Sequence, residues 1–386
     1  MTGSPLTDLE VVTSMPFGAS SAPPRLLAAG DPRAAIEAAI LPALQRGPCV
    51  VSFSGGRDSS AVLAVAAAVA RREGLPLPIA ATNRFVAAPA SDEREWQELV
   101  VRHLGLADWV RLEHDDDLDI VGPVATAVLR RHGLLWPFNA HFHVPLLEVA
   151  RGGSLLTGIA GDELFNAASS RPGPTRLAAR ALACAPRQLR IRARAHRHGP
   201  AAPWLSRPAR RRLHRAAAVE HLAEPGNLDA RMALWHTLRY LEIGTASLAL
   251  LARDADVHLA HPLWDAAFWG AVAASAPLGG FVGRTSAMRA LFGDVLPDNV
   301  LSRVDKAAFN DAFWRTPSRE LAGSWNGEAL PEALIDRSAL RRIWTSAAAP
   351  PGQTFTALQA VWLGRQRLAR SARAHGSQEL LAGSLD

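Results

Sequence analysis

Residues 48–74, PCVVSFSGGRDSSAVLAVAAAVARREG, constrain the fold more than any other stretch. The run through Cys49, Val50 and Val51 has no polar alternation, the habit of a strand covered on both faces in a parallel sheet. Ser54, Gly55 and Gly56 then turn the chain sharply. An alanine-rich helix is predicted over 59–73, with Gly74 stopping it. A buried strand that runs straight into a helix is half of a βαβ unit, so the next strand should return parallel to it.

The following hundred or so residues repeat that unit. Strands are predicted at 48–53, 77–82, 109–114 and 153–159. Helices are predicted at 31–46, capped by Asp31 with Pro32 in the first turn, and at 91–105, with Ser91 as cap and Gly105 at the end. Two more are predicted at 117–132 and 139–151. The pattern predicts an α/β fold, a doubly wound parallel sheet with a mostly helical C-terminal part. A loosely ordered tail is expected over 1–30, then one domain over 31–386. Its sheet core should occupy 46–165, an Arg-rich helical insertion 171–220, and the helical part 228–386. Ligands in such sheets bind beyond the carboxyl ends of the strands. Two of those ends carry conspicuous polar clusters, SGGRDSS and AGDE.

Composition narrows the function. With 48% apolar and 20% charged residues, the chain can bury a core and is not a disordered polymer. No run of 18 apolar residues suggests a membrane span, and the first residues lack the basic start of a signal peptide. Cys49 and Cys184 are too few for a disulfide framework or a zinc site, so a reducing cytoplasm is expected. Of the 42 basic residues, Lys306 is the single lysine. A chain that uses Arg wherever a general positive charge suffices marks Lys306 as a place that needs a compact ammonium. The same bias makes the thirteen Arg of 171–215 weak support for nucleic-acid binding, which is disfavoured. A solvated helical insertion, or a surface for an acidic peptide, accounts for them as well.

The loop has its own chemistry. Two glycines let backbone N–H groups approach a ligand, the following helix N-terminus adds partial positive charge, and Ser54, Ser59 and Ser60 add hydroxyls. Such a cradle suits phosphates. It is neither a Walker A loop nor a dinucleotide fingerprint, because it lacks both spacings and the adjacent Lys. Asp58 beside phosphates would repel them unless Mg²⁺ lies between, and Asp162 and Glu163 at the neighbouring strand end are the carboxylates to complete the site.

SFSGGRDSS resembles the pyrophosphate-loop (PP-loop) motif of the ATP pyrophosphatases, and LLTGIAGDELF is similar to the second signature of the synthetase domain of asparagine synthetases. HPLWDAAFW, GRTSAMRALFGDVLP and VLSRVDKAAF follow in that domain's order, so the resemblance covers roughly 45–370. It implies an enzyme that activates a carboxylate as its acyl-adenylate, releasing pyrophosphate, and passes the acyl group to an amine. By the resemblance, Ser54, Gly55, Gly56, Asp58, Ser59 and Ser60 would cradle the pyrophosphate of ATP. Backbone at Val51, Ser52, Ala81, Thr82 and Gly158 would face the adenosine. Asp58 and Asp162 would hold Mg²⁺, with Glu163 as a further metal contact, and Lys306 would bind phosphate at the reacting centre.

Two departures from the family pattern shape the substrate expectation. About 45 residues precede the loop and residue 2 is Thr, so a glutaminase domain with its Cys nucleophile is not expected. The family's Glu between the signature glycines is Ile159, which can do no acid–base work. The chain resembles most the lasso-peptide macrolactam cyclases, which join a peptide's N-terminal amine to a side-chain carboxyl. The expected partners are then a precursor peptide and a peptidase. Asparagine synthesis from free ammonia is the second reading, and a tRNA-modifying PP-loop enzyme the third. Glu242, His141, His143 and His258 are the candidate bases for the amine. His141 and His143, two residues apart, would not share a helix face, which argues against a metal there.

Overall fold

The computed structural model describes residues 6–19, 26, 30–170, 189, 201–305 and 307–382. Five strands form one sheet: β1 (Cys49–Ser52), β2 (Ile79–Phe85), β3 (Trp109–His114), β4 (Ser154–Leu156) and β5 (His258–Ala260). Their order is β3-β2-β1-β4-β5 and every pairing is parallel. Register places Val50 opposite Ile79 on one side and Leu155 on the other.

Because side chains alternate along a strand, successive residues enter different cores. Val51, Ala80 and Leu156 pack into one core with α2 (Pro32–Gln45) and α3 (Arg57–Glu73). Val50, Ala81 and Leu155 pack into another with α6 (Val144–Val149) and the helix Arg239–Asp254. The sheet is therefore covered on both faces, and the doubly wound α/β class predicted from the sequence holds. Burying a side chain such as Val50 or Leu155 contributes roughly 1.5–3 kcal/mol. Helix α3 is apolar almost all round, with eleven buried residues, because it lies between the sheet and further helices.

Several boundaries differ from expectation. Strand β5 was not predicted; its three residues, beginning with His258 and followed by His261, carry too little apolar pattern to mark a strand. Helix α4 (Arg94–His103) starts three residues beyond Ser91, whose hydroxyl instead donates to the Ala88 carbonyl within a 3-10 turn. Helix α5 (Pro123–His132) starts late because Asp119, fully buried, accepts from Val121 N–H, Ser318 Oγ and Arg315 N–H and holds the preceding residues in a turn. The helix predicted at 139–151 is a 3-10 turn, Ala140–His143, followed by α6. Within the tail expected to be loose, α1 (Asp8–Thr13) is a helix closed by a capping box of Thr7 and Glu10. It is held by a bond from Trp204 Nε1 to the Val12 carbonyl, 2.8 Å, over a separate tryptophan-rich core that includes Trp204, Trp314, Trp325 and Trp344. Most of the Arg-rich insertion and Cys184 lie outside the described residues.

The strand order reverses direction between β1 and β4. Loops leaving the two strands diverge there and open a crevice at the carboxyl edge of the sheet, where α/β proteins bind ligands. SGGRDSS leaves β1 and TGIAGDE leaves β4, so the topology brings both clusters to one crevice.

Candidate active site

The β1 loop is shaped by its neighbours. Gly55 has φ +85°, and a Cβ there would lie 2.8 Å from Gln97 Cγ, so glycine is needed on both counts. Gln97, on α4 (Arg94–His103), braces the turn by donating to the Ser54 carbonyl at 3.0 Å. Ser59 Oγ donates to the Gly56 carbonyl and accepts from Ser54 N–H, at 3.1 and 3.2 Å, which ties the loop to the first turn of α3. No side chain caps α3, whose N-cap is Gly56, so its first N–H groups are left to a ligand at the positive end of the helix dipole.

The β4 loop supplies the facing wall. Ala160 adopts a left-handed backbone, φ +71°, at the turn into α7 (Gly161–Ala168). A Cβ on Gly158 would stand 2.9 Å from Ser59 N, and one on Gly161 would stand 2.3 Å from Asp58 Cγ. The two loops touch through these glycines, and the contact brings Asp58 to Asp162. Arg284, from the helix Gly283–Phe292, donates to both carboxylates and lies over the Phe165 ring at 5.3 Å. Burial pushes the Asp58 carboxyl above the usual range; Arg284 opposes the rise and Asp162 adds to it. Burial works against the Arg284 charge, but the two aspartates outweigh it and keep the guanidinium protonated.

A third wall is tied to the loop from far along the chain. Arg303 donates to both oxygens of Glu93, one at 2.7 Å, to the Gly55 carbonyl at 3.2 Å, and stacks over Trp96 at 4.7 Å. Glu93 also accepts from Ala307 N–H at 3.0 Å, and Ala308 N–H donates to the Ala90 carbonyl at 3.0 Å. Lys306 itself lies outside the described residues.

The crevice holds about 340 Å³. Of the residues expected at the site, Ser52, Ser54, Gly56, Asp58, Ser59, Gly158 and Asp162 line it. Val51, Ala81, Thr82 and Ser60 are buried beneath. Thr82 Oγ1 donates to the Phe53 carbonyl at 2.7 Å, and Ser60 Oγ has no hydrogen-bond partner. Glu163 is turned elsewhere: its carboxylate accepts from Tyr240 Oη at 2.8 Å, and burial raises its pKa. Among the candidate bases, His143 lines the crevice, whereas His141 is buried with Nε2 against the Leu118 carbonyl, and Glu242 and His258 are exposed elsewhere. Sequence reasoning missed Arg284, Arg303 and Glu93. In a chain this rich in Arg no composition signal singles out two of them.

The donor set fits Mg²⁺. Two carboxylates converge on one cation beside a phosphate-type loop, and Mg²⁺ in nucleotide sites is held by one or two carboxylates and by the phosphates themselves. Asp58 and Asp162 would hold it. Among the described residues no group of three or more His, Cys, Asp or Glu side chains is gathered at one point.

A parallel sheet with a Ser-Gly-Gly phosphate loop at its reversal point, faced by two carboxylates, defines a nucleotide-binding domain of the PP-loop type. Residues 33–371 match the family model described as asparagine synthase, and the chain belongs to that family. No curated protein matches it. Membership makes the chain an ATP-dependent amide ligase of the asparagine synthase type, one that forms a C–N bond. Among the described residues, no helix is long and apolar enough to cross a membrane.

Proposed function

We propose that the chain adenylates a carboxylate with ATP, releasing pyrophosphate, and then joins the acyl group to an amine with loss of AMP, the product being a peptide macrolactam. The observation that carries the two-stage chemistry is the meeting of Asp58, Asp162 and Arg284 at the mouth of the uncapped α3 N-terminus. Attack on the α-phosphate adds negative charge to the phosphoryl oxygens and the departing pyrophosphate. Helix N–H groups, the Ser54 and Ser59 hydroxyls and the Lys306 ammonium would bind those oxygens. Mg²⁺ would supply charge neutralisation between the phosphates and the two aspartates. Support for a peptide substrate comes from the apolar Ile159 on the crevice wall and from the resemblance to the macrolactam cyclases. The precursor peptide and a peptidase would be the partners, in the cytoplasm.

The test is ATP–pyrophosphate exchange with a panel of carboxylates, from free aspartate to Asp- and Glu-containing peptides. Exchange that depends on a peptide, and that falls about 10²–10³-fold in Lys306→Ala, is the expected result. Exchange with free aspartate and ammonia-dependent asparagine formation would replace the peptide reading. Failure of every carboxylate to support exchange would remove the adenylation step.

A further inference from the structure

Amide formation leaves one proton to be placed. The amine nitrogen bonds to the acyl carbon, the bond from that carbon to the phosphate oxygen breaks, and the electron pair departs with AMP. The nitrogen must then lose a proton to a base. Most described acids of the crevice are already engaged. Asp58 and Asp162 hold Arg284, and Glu93 holds Arg303 and the Ala307 N–H. Asp305 lies on the exposed rim.

His143 is different. The 3-10 turn Ala140–His143 sets it at the start of α6, on the crevice wall with Thr157, Gly158 and Ile159. Its Nδ1 is sealed from solvent without a hydrogen-bond partner. Burial pushes the imidazole down to about 4, with a smaller opposing pull from the nearby Ala140 carbonyl. On the same wall, Thr157 Oγ1 shares a 2.7 Å hydrogen bond with His261, whose charging is opposed by His143. The ring is therefore held as a neutral imidazole, and among the described residues it is the one histidine on the crevice wall.

Resting on the adenylation reading above, we propose that His143 is the catalytic base that takes the proton from the attacking amine, with Thr157 and His261 positioning the wall it stands in. A weakly basic imidazole is sufficient. As the bond to AMP breaks, the nitrogen becomes amide-like and far more acidic than an ammonium, so what matters is that the acceptor is uncharged and within the crevice.

The experiment separates the two half-reactions on the full chain. The probes are an Asp-containing peptide as carboxylate and ammonium chloride or glycinamide as amine. In His143→Ala, pyrophosphate exchange is expected to stay within about threefold of wild type. Amide formation should fall about 10²–10⁴-fold, AMP should be released by hydrolysis instead, and added imidazole should restore part of the amide. His143→Gln, which keeps a polar side chain of similar reach, should show the same split with an unchanged melting temperature. Amide formation within threefold of wild type in both variants overturns the assignment. So does an equal fall in exchange and amide formation, which marks a structural residue. Absence of exchange in wild type is a different failure: it removes the adenylation reading, and this role with it.

Discussion

At the residue scale the site depends on a cation shared by two carboxylates. Arg284 holds Asp58, one-fifth exposed, and the more open Asp162. Removing it leaves a buried carboxylate without its partner, so Arg284→Met should lose about 1–3 kcal/mol of stability, less than a fully buried pair because Asp162 is half in water. Mg²⁺ or Mn²⁺ should recover part of that loss in a thermal melt, and should bind the variant more tightly than wild type without nucleotide. A melt indifferent to the divalent ion in Arg284→Met would show that the two carboxylates do not form a cation site. Gly161 tests the same geometry sterically. Its added Cβ would fall on Asp58, so Gly161→Ala should displace that carboxylate and cut pyrophosphate exchange about 10²-fold, with a smaller change in melting temperature. Asp58 and Asp162 were legible as crevice residues because each sits in a polar cluster at the carboxyl end of a predicted strand, where α/β sheets bind ligands. Arg284 and Arg303 were not, since their partners lie more than 100 residues away and nothing local distinguishes them from the other arginines.

At the element scale, the pattern legible in the sequence was the one imposed by burial on both faces. Strands β1, β2 and β4 announced themselves as apolar runs between turns, and the edge strand β3, half-buried, by alternation instead. Strand β5 did not, because an edge strand of three residues, exposed or half-buried throughout, has no reason to be apolar. Helix starts were misjudged where a side chain that could cap a helix was used elsewhere: the Ser91 hydroxyl is spent on the Ala88 carbonyl and Asp119 on the segment near Ser318. The sheet core should respond as close-packed interiors do. Leu155, fully buried between β1 and β5, should cost about 2–5 kcal/mol as Leu155→Ala in denaturant unfolding. A cost below about 1 kcal/mol would mean that the strand is not central.

For the whole molecule, acid sensitivity follows from buried histidines. His141, His143 and His261 are each lowered by burial to about 4, from an ordinary value near 6.5. An unfolded chain takes up a proton at each near pH 6.5, whereas the folded chain does so only near pH 4. Between those values the unfolded state binds more protons, so stability is full above about pH 6.5 and falls as pH drops toward 4. The limit is on the order of 3 kcal/mol per group. Asp58, Asp119 and Glu163 act in the opposite direction, since burial raises them and their uptake of protons favours the folded state as the solution turns acid. The melting temperature should therefore fall from pH 7 to pH 5, with the slope steepening once the pH drops below about 6.5. His141 is the cleanest probe, because it does not line the crevice and is anchored to the Leu118 carbonyl through Nε2. His141→Gln should lower stability at pH 7 yet flatten the slope between pH 7 and pH 5. A slope as steep as that of wild type would place the acid sensitivity in other groups.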